Sequence, residues 1–99
     1  MSRWRLTTQA GDDLKEIGRS TALFWGVVQA QAYLTDLYSA FDRLADFPEA
    51  GARRAGIDDA VRARPSGSHT IFYRIRDGRV EILRILHGHA DAPAAFRKS

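Results

Sequence analysis

The stretch TIFYRIRDGRVEILRIL, residues 70–86, decides the fold of this 99-residue chain. Two strand-like runs, Thr70 to Ile75 and Val80 to Leu86, flank Asp77-Gly78, a dipeptide suited to a tight hairpin because both residues accept positive φ. In the first run Ile71, Tyr73 and Ile75 share one face, and Thr70, Phe72 and Arg74 the other. In the second, Ile82 and Arg84 alternate with Leu83 and Ile85. Both faces are substantially apolar, as expected of strands central to a sheet or covered on their second side by a partner. Arginines punctuate both runs, and His69, His87 and His89 stand at their ends, so the ribbon reads as a binding surface or as a site for phosphate chemistry.

Upstream, Val61 to Arg64 is a strand candidate closed by Pro65, and Ser66-Gly67-Ser68 is a turn signal. Residues 48–60, with Pro48, Gly51 and Gly56, read as a loop. Before them, Ala10, Leu14, Ile17, Thr21 and Phe24 recur at helical spacing behind a hydroxyl cap at Thr7-Thr8, and the pattern ends at Trp25-Gly26. Ala30, Leu34, Leu37, Phe41 and Leu44 repeat it until Pro48 forbids continuation. Two such helices joined at a glycine are expected to form an antiparallel hairpin, with Phe24 and Trp25 as core at its corner. Trp4 to Leu6 is a short strand, and Pro93 opens irregular structure or a short helix around Ala94 to Phe96. The expected order is β-α-α-β-β-β: one α+β domain over residues 1–99, with an N-terminal strand, a helical hairpin and a three-stranded antiparallel sheet packed on the helices.

Composition bounds the chemistry. Hydrophobic residues make up 44% of the chain, enough for a core without staples, and the absence of cysteine removes disulfides and thiol catalysis. No apolar run follows the first arginines and no segment approaches membrane-spanning length, so a soluble cytoplasmic protein is expected. The formal charge of +3 is unevenly spread: residues 1–60 carry seven Lys/Arg against nine Asp/Glu, whereas residues 61–99 carry eight against three. The basic half is the half that holds the ribbon, which points to an anionic partner.

The residues resemble the RelE/ParE toxin superfamily from end to end, and its ParE branch most. The resemblance rests on Leu6-Thr7 with Ala10, Asp13-Leu14 and Ile17; on Trp25-Gly26, Gln29-Ala30, Tyr33-Leu34 and Leu37; and on Leu44-Ala45 with Pro48 and Gly51. Its most specific part is Gly67-Ser68-His69 with Ile71-Phe72-Tyr73-Arg74, then Ile82-Leu83-Arg84-Ile85-Leu86-His87. It implies a helical hairpin on a small antiparallel sheet. It also implies a stable toxin of a type II toxin–antitoxin system that serves plasmid or chromosome stabilisation. A ParD-like antitoxin would neutralise it in a hetero-oligomer, laying an acidic, amphipathic segment across helices and sheet. ParE-branch relatives poison DNA gyrase; RelE-branch relatives cleave mRNA on the ribosome.

Metal-independent RNA cleavage requires a group to deprotonate or orient the 2′-hydroxyl, cations for the developing charge and an acid for the leaving oxygen. Arg64, Arg84 and His87 are the candidates for that alternative. The tail Ala92 to Ser99 lacks the tyrosine that many ribosome-dependent relatives place there, and Tyr73 lies mid-strand instead. Gly88-His89-Ala90-Asp91 departs from the arginine-rich run of many ParE-like sequences, which leaves arginine contacts at those positions unsupported. The favoured expectation is therefore a protein-binding gyrase inhibitor without catalytic residues or cofactor, and with no direct nucleic-acid binding of its own. Arg62, Arg64, Arg74, Arg84, His87 and His89 are its candidate contacts to antitoxin or target. Arg74 and Arg84 have carboxylates within reach, Glu81 or those of the helices, so structural pairing and direct function both stay open. His69 is expected to bond loop backbone, and a zinc site lacks ligands unless His69 joins His87 and His89.

Overall fold

In the computed structural model, which describes residues 3–97, the chain runs β1 (Trp4–Leu6), α1 (Thr8–Trp25), α2 (Val27–Asp46), β2 (Ala52–Arg53), β3 (Arg62–Ser66), β4 (His69–Arg76), β5 (Arg79–His87) and α3 (Ala92–Arg97). The strands form one five-stranded sheet in the order β1-β5-β4-β3-β2. The β1–β5 pair is parallel and the others antiparallel. The sheet is thus larger and more mixed than the three antiparallel strands expected. The stretch read wholly as loop over 48–60 contains β2, too short for any periodicity to show. Pro65 lies inside β3 rather than closing it; β2 pairs only as far as Ala63, so Pro65 sits on a free sheet edge, where strands tolerate proline.

Local chemistry sets the elements. Thr7 caps α1 by accepting the Ala10 N–H at 3.1 Å. Gly26, at φ 90° and ψ 164°, breaks the chain between the helices in a conformation open essentially only to glycine. Asp77 and Gly78, at φ 53° and 72°, close the β4–β5 hairpin as the dipeptide predicts.

The helices cover one sheet face. Leu14 and Ile17 of α1 and Leu37, Phe41 and Leu44 of α2 pack on Ile71, Tyr73, Val80, Ile82 and Ile85. Burying a side chain of this size contributes ~1.5–3 kcal/mol, so this layer dominates stability. The other face is covered by the chain itself: Ala92, Ala95 and Phe96 of α3, with Ile57 and Val61, pack on Phe72, Leu83 and Leu86. The second apolar face therefore needs no partner.

The alternation expected along β5 fails at one point. Phe72 pairs Arg84 and Tyr73 pairs Ile82, so Leu83 is an extra residue, a β-bulge. Ile82 and Ile85 consequently both reach the helix-side core, while Leu83 and Leu86 join the opposite cluster. The start of α1 satisfies the freed backbone: Thr7 N–H donates to Ile82 O, the Thr7 hydroxyl donates to Leu83 O, and Ile85 N–H donates to Asp13 Oδ2 at 2.9 Å.

Candidate functional site

The bulge fixes the position of Arg84. Its Nε and a terminal nitrogen donate to the two carboxylate oxygens of Asp13 at 2.8 and 3.1 Å, a bidentate pair whose side chains are 19% and 15% exposed. This hydrogen bond outweighs burial and lifts the guanidinium above its ordinary pKa. Arg84 is thus a fixed link between β5 and α1.

Arg74 is also committed. Its Nε donates to Glu81 at 2.7 Å, and Arg5 reaches the other oxygen of the same carboxylate at 3.0 Å. Burial pushes the Glu81 carboxyl up, but the bond and charge of Arg74, with the charges of Arg5 and Arg76, outweigh it and hold the pKa below the ordinary value. Arg62 donates to the backbone oxygens of Gly51 and Glu49, pinning the chain before β2. These three sequence candidates are therefore engaged within the fold.

Arg64 has a different setting. It lines a cleft of about 480 Å³ between α2 and the β3 end, together with Arg43, Asp36, Phe47, Leu44 and Pro65, so two cations and one carboxylate border it. Phe47 is largely exposed there. Two guanidiniums beside an exposed ring suit a carboxylate carried on an apolar segment. Arg43 enters the sequence reading only as one of the charges of residues 1–60; the fold brings it to the cleft that Arg64 lines.

The histidines form a row. The His69 and His87 ring centres lie 5.6 Å apart, and those of His87 and His89 5.3 Å apart. His69 Nδ1 lies 2.5 Å from the Tyr33 hydroxyl, which also accepts the Ser68 N–H, so His69 bonds a side chain where loop backbone was expected. Burial, and then the charge of His87, lower its pKa, with Asp13 acting weakly in the opposite sense. His87 and His89 are exposed, and the His89 N–H donates to His87 Nδ1 at 3.3 Å. Among the described residues no group of three or more His, Asp or Glu is placed to hold a metal ion.

Arg64, Arg84 and His87 accordingly occupy three separate settings: the α2–β3 cleft, the Asp13 pair, and a second cleft of about 470 Å³ lined by His69, His87, Phe24 and Trp25. Tyr73 is buried, donates to Pro48 O at 2.7 Å and accepts the Gly51 N–H at 2.8 Å. Burial raises its pKa, which the bond to Gly51 and the charges of Arg62 and Arg64 only partly offset. Its role is to hold the chain after α2. Phe24 and Trp25 correct the sequence reading outright: they stand 81% and 75% exposed at the hairpin tip, bordering an open cleft with His69 and His87 where core packing was expected.

Comparison with known proteins is consistent across the chain. The profile of the family "ParE toxin of type II toxin-antitoxin system, parDE" matches residues 4–92. Toxin ParE1 of Mycobacterium tuberculosis is 40% identical over 91 residues, covering 91% of this chain and 93% of the relative. Toxin ParE1 of Caulobacter vibrioides is 36% identical over 94 residues, covering 95% and 97%. Among solved structures, the chromosomal ParDE system from P. aeruginosa superposes with a TM-score of 0.75 at 22% identity, over 88% of this chain and 96% of that one. The RelBE2 toxin–antitoxin complex of Mycobacterium tuberculosis does so at 0.55 and 23%, over 85% and 94%. Both structural likenesses bear on the fold alone: two helices on an antiparallel-rich sheet. With the profile and the curated relatives spanning nearly all of its length, this chain belongs to the ParE toxin family of type II toxin–antitoxin systems.

Proposed function

We propose that this toxin inhibits growth by binding and poisoning DNA gyrase in the cytoplasm, and that a ParD-like antitoxin neutralises it within a hetero-oligomer. The observation that carries the non-nucleolytic reading is the commitment of Arg84 to Asp13. A guanidinium held in a bidentate pair with a carboxylate has its charge balanced and two of its five N–H donors spent, so it gives a phosphorane-like charge less than the cleavage reading asks of it. Arg64 and His87 line different clefts, and Tyr73 spends its hydroxyl on backbone. A protein-binding poison needs none of these groups assembled.

Antitoxin contact is assigned to the cleft that Arg43 of α2 and Arg64 of the basic half line together. The Arg43–Arg64 cleft takes an acidic, amphipathic segment; Arg62, Arg74 and Arg84, engaged internally, are contacts through their exposed remainder, and His87, with His89 beside it, offers a further contact at the second cleft. No helix among the described residues is long and apolar enough to cross a membrane, in keeping with a target met in solution.

The test is induction of the toxin without antitoxin, following plasmid supercoiling and total mRNA in the same culture. Relaxed or cleaved DNA with intact mRNA is expected. Rapid ribosome-dependent mRNA cleavage would overturn the gyrase reading in favour of the RelE-like one, and normal growth would mean that this copy is inactive.

A further inference from the structure

We propose that the turn end of the β4–β5 ribbon is a docking surface for the phosphate backbone of duplex DNA. The register sets Arg76 opposite Arg79 and Arg74 opposite Glu81 across the hairpin, and brings Arg5 of β1 beside Glu81 from the other side. Alternation puts all of them on the sheet face of Phe72, away from the helices. Glu81 is buried and shared between Arg5 and Arg74, so one carboxylate serves two guanidiniums. Arg76 and Arg79 are exposed and, among the described residues, make no ion pair or side-chain hydrogen bond. Even with Asp77 in the turn, four cations meet two carboxylates. Like charges directly opposite each other work against strand pairing, and Asp77-Gly78 already closes the hairpin, so the fold itself gives no reason for the Arg76–Arg79 pair.

The lack of an apolar seat selects the anion. An acidic, amphipathic segment needs somewhere to bury its apolar side, and the Arg43–Arg64 cleft offers Phe47 for that. On the face of Arg76 and Arg79, Phe72 and Leu83 are covered by Ile57 and Phe96 of the same chain. Ile75, the one large exposed apolar residue of the ribbon, faces the other way, since it pairs with Val80 of the helix-side core. A membrane surface likewise calls for apolar insertion beside the cations. A phosphate backbone calls for closely spaced cations alone, and the planar fork of arginine meets phosphate oxygens two at a time.

Shape selects the duplex. Pairing of β3 with β4 reaches only to Tyr73, so from Arg74 to Arg79 the ribbon continues past that neighbour. A ribbon two strands wide is admitted by the major groove of B-form DNA, whereas the deep, narrow major groove of an RNA helix is closed to side chains. The Cα atoms of Arg74 and Arg76 lie ~6.8 Å apart along the strand, and those of Arg76 and Arg79 ~5 Å apart across it, so neighbouring guanidiniums reach successive phosphates. Arg64 pairs with Ile71 of the helix-side core, so the cleft assigned to the antitoxin lies on the opposite sheet face. This inference departs from the sequence expectation of no direct nucleic-acid binding, and it does not depend on the gyrase reading.

The test is fluorescence anisotropy of a labelled duplex of about 20 bp with the purified full-length toxin, without gyrase, from about 50 to about 200 mM salt. Three phosphate contacts, from Arg5, Arg76 and Arg79, give a slope of about −2.7 in log K against log salt, a weakening of roughly 40-fold across that range. From the weak end of non-specific binding, about 100 µM at the higher salt, the dissociation constant at the lower is about 2.5 µM. Arg76→Gln and Arg79→Gln should each flatten the slope to about −1.8 and leave the circular dichroism unchanged. Arg19→Gln, which removes the same charge from α1, should keep the wild-type slope. No binding at the lowest salt overturns the proposal, as does an unchanged slope in either ribbon variant or an equal loss in Arg19→Gln. Poly-glutamate or an RNA duplex held more tightly than the DNA through the same arginines overturns it too, in favour of an acidic protein or an RNA.

Discussion

Replacing Asp13 with alanine removes, in one step, the acceptor of three hydrogen bonds that join α1 to the bulge in β5. Two come from the Arg84 guanidinium and one from the Ile85 N–H, at 2.8–3.1 Å. Breaking a fully buried ion pair costs ~3–5 kcal/mol, and leaving a buried N–H unsatisfied costs ~1–3 kcal/mol. The side chains here keep 15–19% exposure, which lets water recover part of the loss. A destabilisation of about 3 kcal/mol is expected. With ~2.1 cal/mol/K of unfolding entropy per residue over 99 residues, that corresponds to a fall in Tm of about 15 °C. Arg84→Met leaves Asp13 free to accept the Ile85 N–H, so it should cost less, about 1–2 kcal/mol. Denaturant melts of wild type, both single variants and the double variant give the coupling energy directly, and at least ~1 kcal/mol is expected for such a contact. If Asp13→Ala loses less than ~1 kcal/mol and shows no coupling to Arg84, the pair is not the structural link described, and Arg84 returns as a candidate for direct function.

Three further predictions concern the framework around the site. Tyr73→Phe removes the hydroxyl that donates to Pro48 O and accepts the Gly51 N–H; it should cost about 1–2 kcal/mol and speed hydrogen exchange at Gly51, while unchanged exchange would mean the hydroxyl does not pin that loop. At Gly26 an added Cβ meets nothing within 4 Å, so Gly26→Ala isolates the backbone strain of φ 90°, at ~1–3 kcal/mol by thermal melt; no loss would mean that the turn relaxes freely. Because the folded pKa of His69 is lowered, its contribution is fully present above the ordinary value of 6.5 and is lost as pH falls through it towards the folded pKa, since the unfolded chain takes up the proton first. His69→Gln should therefore flatten the dependence of Tm on pH between about 7 and about 5, and an unchanged slope would place that dependence elsewhere.

The parts of this fold legible in the sequence are those where one local rule acts alone. Asp77-Gly78 makes a hairpin whatever surrounds it, Thr7 caps α1, and the apolar stripe of α2 continues to Leu44 and stops before Pro48. What stayed hidden depends on tertiary placement. The bulge at Leu83 is invisible to a period-two reading because every residue from Val80 to Leu86 except Glu81 and Arg84 is aliphatic, so a slip by one leaves the pattern equally apolar. Phe24 and Trp25 continue the α1 stripe and read as core; only their place at the hairpin tip, which no local pattern reveals, exposes them. At the candidate site, Arg74 and Arg84 were named correctly as residues with carboxylates in reach. Asp13 could not be singled out as the partner of Arg84, since 71 positions separate them and only the fold joins the start of α1 to β5. The Arg43–Arg64 cleft was hidden for the same reason.

These features separate the molecule into regions with different chemistry. Arg74 and Arg84 spend their hydrogen bonds on Glu81 and Asp13, whereas Arg43 and Arg64 line a cleft together with Asp36 and the exposed Phe47. The apolar tip lies apart from that cleft and carries no charge. On the function proposed above, a toxin arranged in this way acts through surfaces and needs no reacting centre. The most direct measurement is a supercoiling assay with purified gyrase and the purified toxin, run beside a ribosome programmed with a defined mRNA. Loss of supercoiling or trapped cleaved DNA, with the mRNA intact, is the predicted result; full gyrase activity together with ribosome-dependent mRNA cleavage would contradict the account.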